Sequence, residues 1–190
     1  MDGINGITGL YSLALIVTLI WLNQSVEFIN QNLLIITALS LLVFLFFNFR
    51  HKARCFAGDV GSVSMAFIVI FAIGLLILKT HEFLYILLLA VYGVDTVLTI
   101  FIRLYNRENI FEAHRTHTYQ KLSNEHQVSH RLVALLYAAL QVLVNILIIY
   151  IVRLNHSPLF EIAVALAILL ALSLLYSLAR TNRNAFSVNL

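Results

Sequence analysis

Six stretches of the chain are almost continuously apolar, and polar stretches separate them. They fall at about 6–23, 33–49, 63–79, 82–104, 132–152 and 158–179. Each approaches the roughly 20 residues that a helix rising about 1.5 Å per residue needs to cross about 30 Å of hydrocarbon. The second and third are the shortest. The runs are continuous rather than alternating. That pattern predicts helices and not barrel strands, because in lipid each backbone polar group must be paired within its own helix or within a closed sheet. The expected fold class is therefore all-α: a polytopic membrane helix bundle of about six transmembrane helices, forming a single transmembrane domain over residues 1–190.

Composition strengthens the membrane reading. The chain is 61% hydrophobic and 11% charged, with a mean hydropathy of +0.92, well beyond an ordinary soluble domain. The opening "MDGINGITGL" has no Lys or Arg before the first apolar run, so that run reads as a span and not as a signal peptide. Cys55 is the one cysteine and cannot form an intramolecular disulfide.

The net charge of +3 matters less than where the charges fall. Arg50, Lys52, Arg54, Arg103, Arg107, Arg115, Lys121, Arg131, Arg180 and Arg183 follow the second, fourth and sixth spans, and only Lys79 and Arg153 lie in the alternate loops. The excess of basic residues marks the cytoplasmic side. Both termini and the loops 50–62 and 105–130 are then expected on that face. Basic residues flanking spans point to anionic membrane lipids as partners, not to nucleic acid.

Asp2, Asp59 and Asp95 are the only aspartates, each near the basic end of a span. A carboxylate at or inside a membrane is costly unless paired or bound to a cation, so each is a candidate for chemistry. Asp59 stands in "AGDVGS", where Gly58 and Gly61 permit close backbone approach and Ser62 is placed to cap the following helix. This setting suits Mg²⁺, which takes one or two protein carboxylates and completes its shell with phosphate and water. A plain cap and turn explains the same residues. Asp95 lies about 12 Å along its helix from Arg103. It reads either as a buried acid bonded to a neighbouring helix or as the ion site of a transporter. The loop "YNRENIFEAHRTHTYQKLSNEHQVSH" holds four of the seven histidines. If "FEAHRTHTYQKL" is helical, His114 and His117 share a face, with Arg115 and Tyr119 paired beside them. Arginine forks and imidazole donors suit a diphosphate, and they also suit lipid headgroups. Arg54, in "FRHKAR", carries the same two readings.

Together these segments resemble the polyprenyl-phosphate N-acetylhexosamine-1-phosphate transferases of glycosyltransferase family 4. "MDGINGITGL" resembles the family's N-x-x-N-x-x-D-G-x-(D/N)-G segment, "CFAGDVGSVSMA" its F-x-G-D-x-G-S segment, and "NIFEAHRTHTYQKL" its cytoplasmic substrate loop; the acid in "GVDTVLTIFIRL" also fits. The resemblance implies transfer of a sugar-1-phosphate from a UDP-sugar to undecaprenyl phosphate at the cytoplasmic face of a bacterial inner membrane, with release of UMP. It implies Mg²⁺, or Mn²⁺, as cofactor. It further implies that Asp59 is the metal ligand and that Asp2 supports the nucleotide and metal region. His117 and Arg115 would contact the sugar nucleotide, with His114, Arg54 and Asp95 also on the substrate-binding side.

Two departures limit the carry-over. Thr118, Tyr119 and Gln120 follow His117 where relatives often carry further histidines, and no Asp-Asp pair occurs anywhere in the chain. The chain is thus expected to correspond to the C-terminal half of such a transferase. A non-catalytic polyprenyl-phosphate-binding or partner subunit and an ion-coupled transporter using Asp95 are the alternatives, and pairing of two copies is compatible with each. The expected outcome is that the chain alone catalyses no transfer; Mg²⁺-dependent UMP release by the purified chain would overturn this.

Overall fold

The computed structural model describes residues 3–109, 112, 116–154 and 157–181. Its helices are α1 (Ile7–Val26), α2 (Gln31–Asn48), α3 (Gly58–Thr80), α4 (Ala90–Tyr105), α5 (Thr118–Asn124), α6 (His130–Arg153) and α7 (Pro158–Thr181). A 3-10 segment, Phe83–Leu89, leads directly into α4. Counting Phe83–Tyr105 as one, six helices are long and apolar enough to cross a membrane. Among the described residues there is no strand, so the all-α class holds.

Hydropathy misplaces one helix start. α3 begins at Gly58 rather than near residue 63, so Asp59 lies in its first turn. Ser62 is therefore inside the helix and does not cap it; its hydroxyl donates to the Asp59 carbonyl at 3.3 Å. Apolar runs mark the part of a helix that lies in hydrocarbon, whereas backbone hydrogen bonding continues through a polar first turn.

α1 is the most enclosed span, packed on α6, α2 and α3. Its Ile7, Leu15, Ile16 and Leu19 are fully or almost fully buried, while α3 and α7 leave Phe67, Ile70, Leu170 and Leu174 exposed on the outside of the bundle. Apolar surface needs no protein cover in lipid, and association relies on close packing and polar contacts. Gly9 allows such an approach: a Cβ there would sit 2.6 Å from the Leu45 side chain of α2.

A buried polar chain ties α1, α4 and α6 together. The Tyr11 hydroxyl donates to Gln141 Oε1 at 2.7 Å, Gln141 Nε2 donates to Asn145 Oδ1 at 2.7 Å, and Asn145 Nδ2 donates to Thr18 Oγ1 at 2.9 Å. Where the 3-10 segment gives way to α4, the Val91 N–H donates to Gln141 Oε1 at 3.1 Å and the Tyr92 N–H to the Tyr11 hydroxyl at 3.4 Å. Side chains of two neighbouring helices thus satisfy the backbone of an irregular span.

At the opposite end from the Arg50–Arg54 loop, Asn23 organises the α1–α2 turn by accepting the N–H groups of Phe28 and Ile29 at 2.9 and 3.1 Å. The Arg153 guanidinium there lies 4.6 Å from the centre of the Trp21 ring.

Replacing Gln141 with Leu removes the acceptor of Val91 and Tyr11 and the donor to Asn145. The expected loss is about 1–3 kcal/mol of stability. Leu143→Ala, on the outside of the same helix, should stay within about 0.5 kcal/mol. Reversible unfolding in mixed micelles compares the two.

Candidate functional site

The N-terminal turn is laced to the loop that precedes Asp59. The Gly6 N–H donates to Asn48 Oδ1 at 2.7 Å, and Asn48 Nδ2 donates to the Cys55 carbonyl at 2.7 Å. Asn5 Nδ2 donates to the carbonyls of Arg50 and His51 at 3.1 and 3.4 Å, and the Asn5 N–H to His130 Nδ1 at 3.4 Å. Only glycine fits this turn. Gly6 has φ +89°, and a Cβ there would meet the Phe49 ring at 2.5 Å; Gly3 has φ +105°, with the Gln120 amide 2.8 Å from where its Cβ would be. Asp2 lies outside the described residues, but its neighbour Gly3 thus abuts α5.

Asp59 is exposed in the first turn of α3, at the positive end of the helix dipole. Gly58 makes the preceding turn with φ +60° in open space. Of the basic loop, Arg50 is engaged with its own helix end: its Nε donates to the Phe46 carbonyl at 2.7 Å and its guanidinium lies 4.7 Å from the centre of the Phe46 ring. Arg54 is exposed, its N–H donating to the Phe47 carbonyl at 3.0 Å.

The segment between α4 and α6 is pinned by arginines that the sequence presents only as membrane-flanking charge. Arg103 is buried; its Nε pairs with Glu108 Oε2 at 3.1 Å, and its guanidinium also donates to the carbonyls of Asn109 and Glu112. Arg180, from the end of α7, donates to the Thr116 carbonyl at 2.9 Å and to Thr99 Oγ1 at 3.4 Å.

The loop helix is shorter than "FEAHRTHTYQKL". Thr116 and His117 are not helical, and α5 starts at Thr118, so His117 lies outside the helix that was expected to carry it. His114 and Arg115 themselves lie outside the described residues. Asp95 meets the first residue of that helix. Its fully buried carboxylate accepts the Thr118 N–H on Oδ1 at 2.9 Å and the Tyr137 hydroxyl on Oδ2 at 3.1 Å. His117 therefore caps α5, with its N–H donating to Gln120 Oε1 at 3.4 Å. Its half-buried ring stacks on Tyr119 at 5.4 Å and on Tyr92 at 6.1 Å between centroids.

A cavity of about 330 Å³ lies between α1, α3 and the fourth span. Thr8 and Ser12 border it from α1, Ser62 and Met65 from α3, and Tyr92 and Thr96 from α4. Ser62 lies one turn below Asp59, and Tyr92 carries the His117 ring. The structure thus brings the N-terminal turn, the Asp59 loop and α5 to one end of the bundle. Asn5, Asn48 and Tyr92 join them without having been singled out in the sequence, and Gln120, which stood out there only as a departure from the family's histidines, joins them too; the asparagines at the rims of apolar runs were the available clue.

Residues 1–78 match the sequence profile of glycosyl transferase family 4, the family that the motifs resemble. The match spans the N-terminal turn, α1, α2 and α3 as far as residue 78, including Asp59, and ends before Asp95 and His117. In a chain with six apolar spanning helices, it supports a membrane glycosyltransferase. No curated protein sequence and no solved structure matches the chain.

Gly6→Ala combines a left-handed backbone with a collision at Phe49, whereas Gly58→Ala meets only the backbone strain of about 1–2 kcal/mol. The expected order is that Gly6→Ala loses more stability and speeds amide exchange at residues 5–8. Thermal unfolding and hydrogen exchange of the two variants check it.

Proposed function

We propose that this chain forms part of a site that transfers a sugar-1-phosphate, of the N-acetylhexosamine class, from a UDP-sugar to undecaprenyl phosphate at the cytoplasmic face of a bacterial membrane. One observation carries the reading: the family match covers both the N-terminal turn and the Asp59 helix start, and Asn48 bonds that turn to the loop leading into Asp59 while Gln120, in the same turn as His117, abuts Gly3.

The reaction needs two anions held together. An oxygen of the lipid phosphate attacks the phosphorus next to the sugar; that P–O bond forms as the bond to the UMP oxygen breaks, and UMP leaves with its electron pair. Such transfers are driven by positioning and charge neutralisation, since the protein has little covalent work to do. The polyprenyl chain stays in hydrocarbon while its phosphate reaches the surface, which is why the site belongs at a helix end.

Mg²⁺ would neutralise charge on the diphosphate. The residues fit it in a particular way. Among the described residues no three His, Cys, Asp or Glu side chains cluster, so there is no cage made wholly of protein. A single exposed carboxylate, Asp59, suits a hydrated cation that arrives with its phosphates. In this reading Asp59 holds the cation and Asp2 supports it beside the nucleotide. His117, His114, Arg115 and Arg54 donate to the diphosphate and orient it. An ion-coupled transporter would instead load its ion on Asp95. Both oxygens there already accept hydrogen bonds from within the fold, which disfavours that alternative.

Calorimetric titration of UDP-N-acetylglucosamine and UDP-N-acetylgalactosamine onto the purified chain in micelles tests the proposal. The expected result is saturable binding with Mg²⁺ that weakens roughly tenfold or more on adding EDTA or in Asp59→Asn. Failure of both nucleotides to bind, or binding indifferent to metal and to Asp59, would sink it.

A further inference from the structure

We infer that Asp95 is a positioning residue: its buried carboxylate holds the start of α5 and, through it, the ring of His117 at the sugar-nucleotide end of the site. The inference rests on the proposed transfer for what His117 binds, and on hydrogen bonds alone for where His117 is held.

A carboxylate with no exposed surface is retained at a cost and must be matched by its partners. The partners of Asp95 are informative. Thr118 is the first helical residue of α5, and its N–H has no acceptor within the helix. A helix of seven residues is unstable by itself, so an acceptor fixed in α4 decides where it starts. The other oxygen takes the hydroxyl of Tyr137, whose ring sits edge-on to Tyr119 at 5.8 Å and tilted against Tyr176 at 5.7 Å. One carboxylate thus fixes both the backbone of α5 and the aromatic wall behind it.

The effect passes to His117 by the shortest route. Tyr92 and Asp95 are three residues apart on α4 and so share a face. Asp95 grips the backbone of residue 118, and Tyr92 supports the ring of residue 117. The same turn of α5 carries Gln120, which accepts the His117 N–H and abuts Gly3 of the N-terminal turn. Displacing the Thr118 N–H would therefore move His117 relative to both motifs.

What this role needs is a hydrogen-bond acceptor at Oδ1, not a charge available to a ligand. The test compares Asp95→Ala, Asp95→Asn, His117→Ala and the double variant Asp95→Ala/His117→Ala as full chains in micelles. Hydrogen exchange over residues 116–124 and the Kd for UDP-N-acetylglucosamine with Mg²⁺ are the readouts. Expected for Asp95→Ala are faster exchange in α5 and a roughly tenfold weaker Kd. Asp95→Asn keeps the acceptor and should recover most of both. The double variant should bind no more weakly than His117→Ala alone, because the first substitution acts through the second residue.

Unchanged α5 exchange in Asp95→Ala, an Asp95→Asn as impaired as Ala, or additive losses in the double variant would each overturn the inference. Should Asp95→Ala fail to fold, Thr118→Pro removes the donor at the first helical position, where proline is tolerated and the extended His117 backbone accepts it; exchange in α5 should then be faster than in the wild type, and unchanged exchange overturns the inference. A wild-type chain that binds no UDP-sugar defeats the transfer reading, and the exchange comparison still decides whether Asp95 holds α5.

Discussion

Backbone N–H groups inside a membrane have no water to fall back on, and the fourth span interrupts its own helix where 3-10 geometry passes into α4. Gln141 and Tyr11 meet the donors of Val91 and Tyr92 at that break. Much else follows from this arrangement. It draws α1 and α6 onto the same stretch of α4, and it sets the rotation of α4 about its axis. That rotation turns Tyr92 and Asp95 towards α5. The candidate site is thus built outward from a repair at the break in the fourth span.

The spans were legible because hydropathy reports burial in hydrocarbon directly, and six runs separate cleanly on that basis. Limits appear where other forces decide. The start of α3 lies among Gly, Asp and Ser, residues whose polarity says loop while their backbone is already helical. The start of α5 is set by a carboxylate 23 residues earlier in the chain, a long-range hydrogen bond that no local pattern announces. Arg103 and Arg180 illustrate the same point. Counted by position they mark a membrane face, yet in the fold their guanidinium groups hold the carbonyls of the connecting segment.

The site itself was legible in its parts and not in its assembly. Asp59 and His117 stood out because each sits in a segment dense in polar or small residues. Nothing in the sequence showed that Asn5 and Asn48 would join the N-terminal turn to the Asp59 loop, or that Gln120 would reach the same turn from the other side. These are single amides serving as spacers between motifs. The family match over residues 1–78 covers two of the joined pieces, and the third arrives with α5.

The bond between Tyr11 and Gln141 also has a history in time. Its ends are 130 residues apart, so a chain made at about 5–20 residues per second inserts α1 on the order of 10 s before α6 can meet it. During that interval the polar edge of α1 lies in the bilayer without its eventual acceptor. The pairing of α1 with α6 therefore forms well after α1 itself has been made.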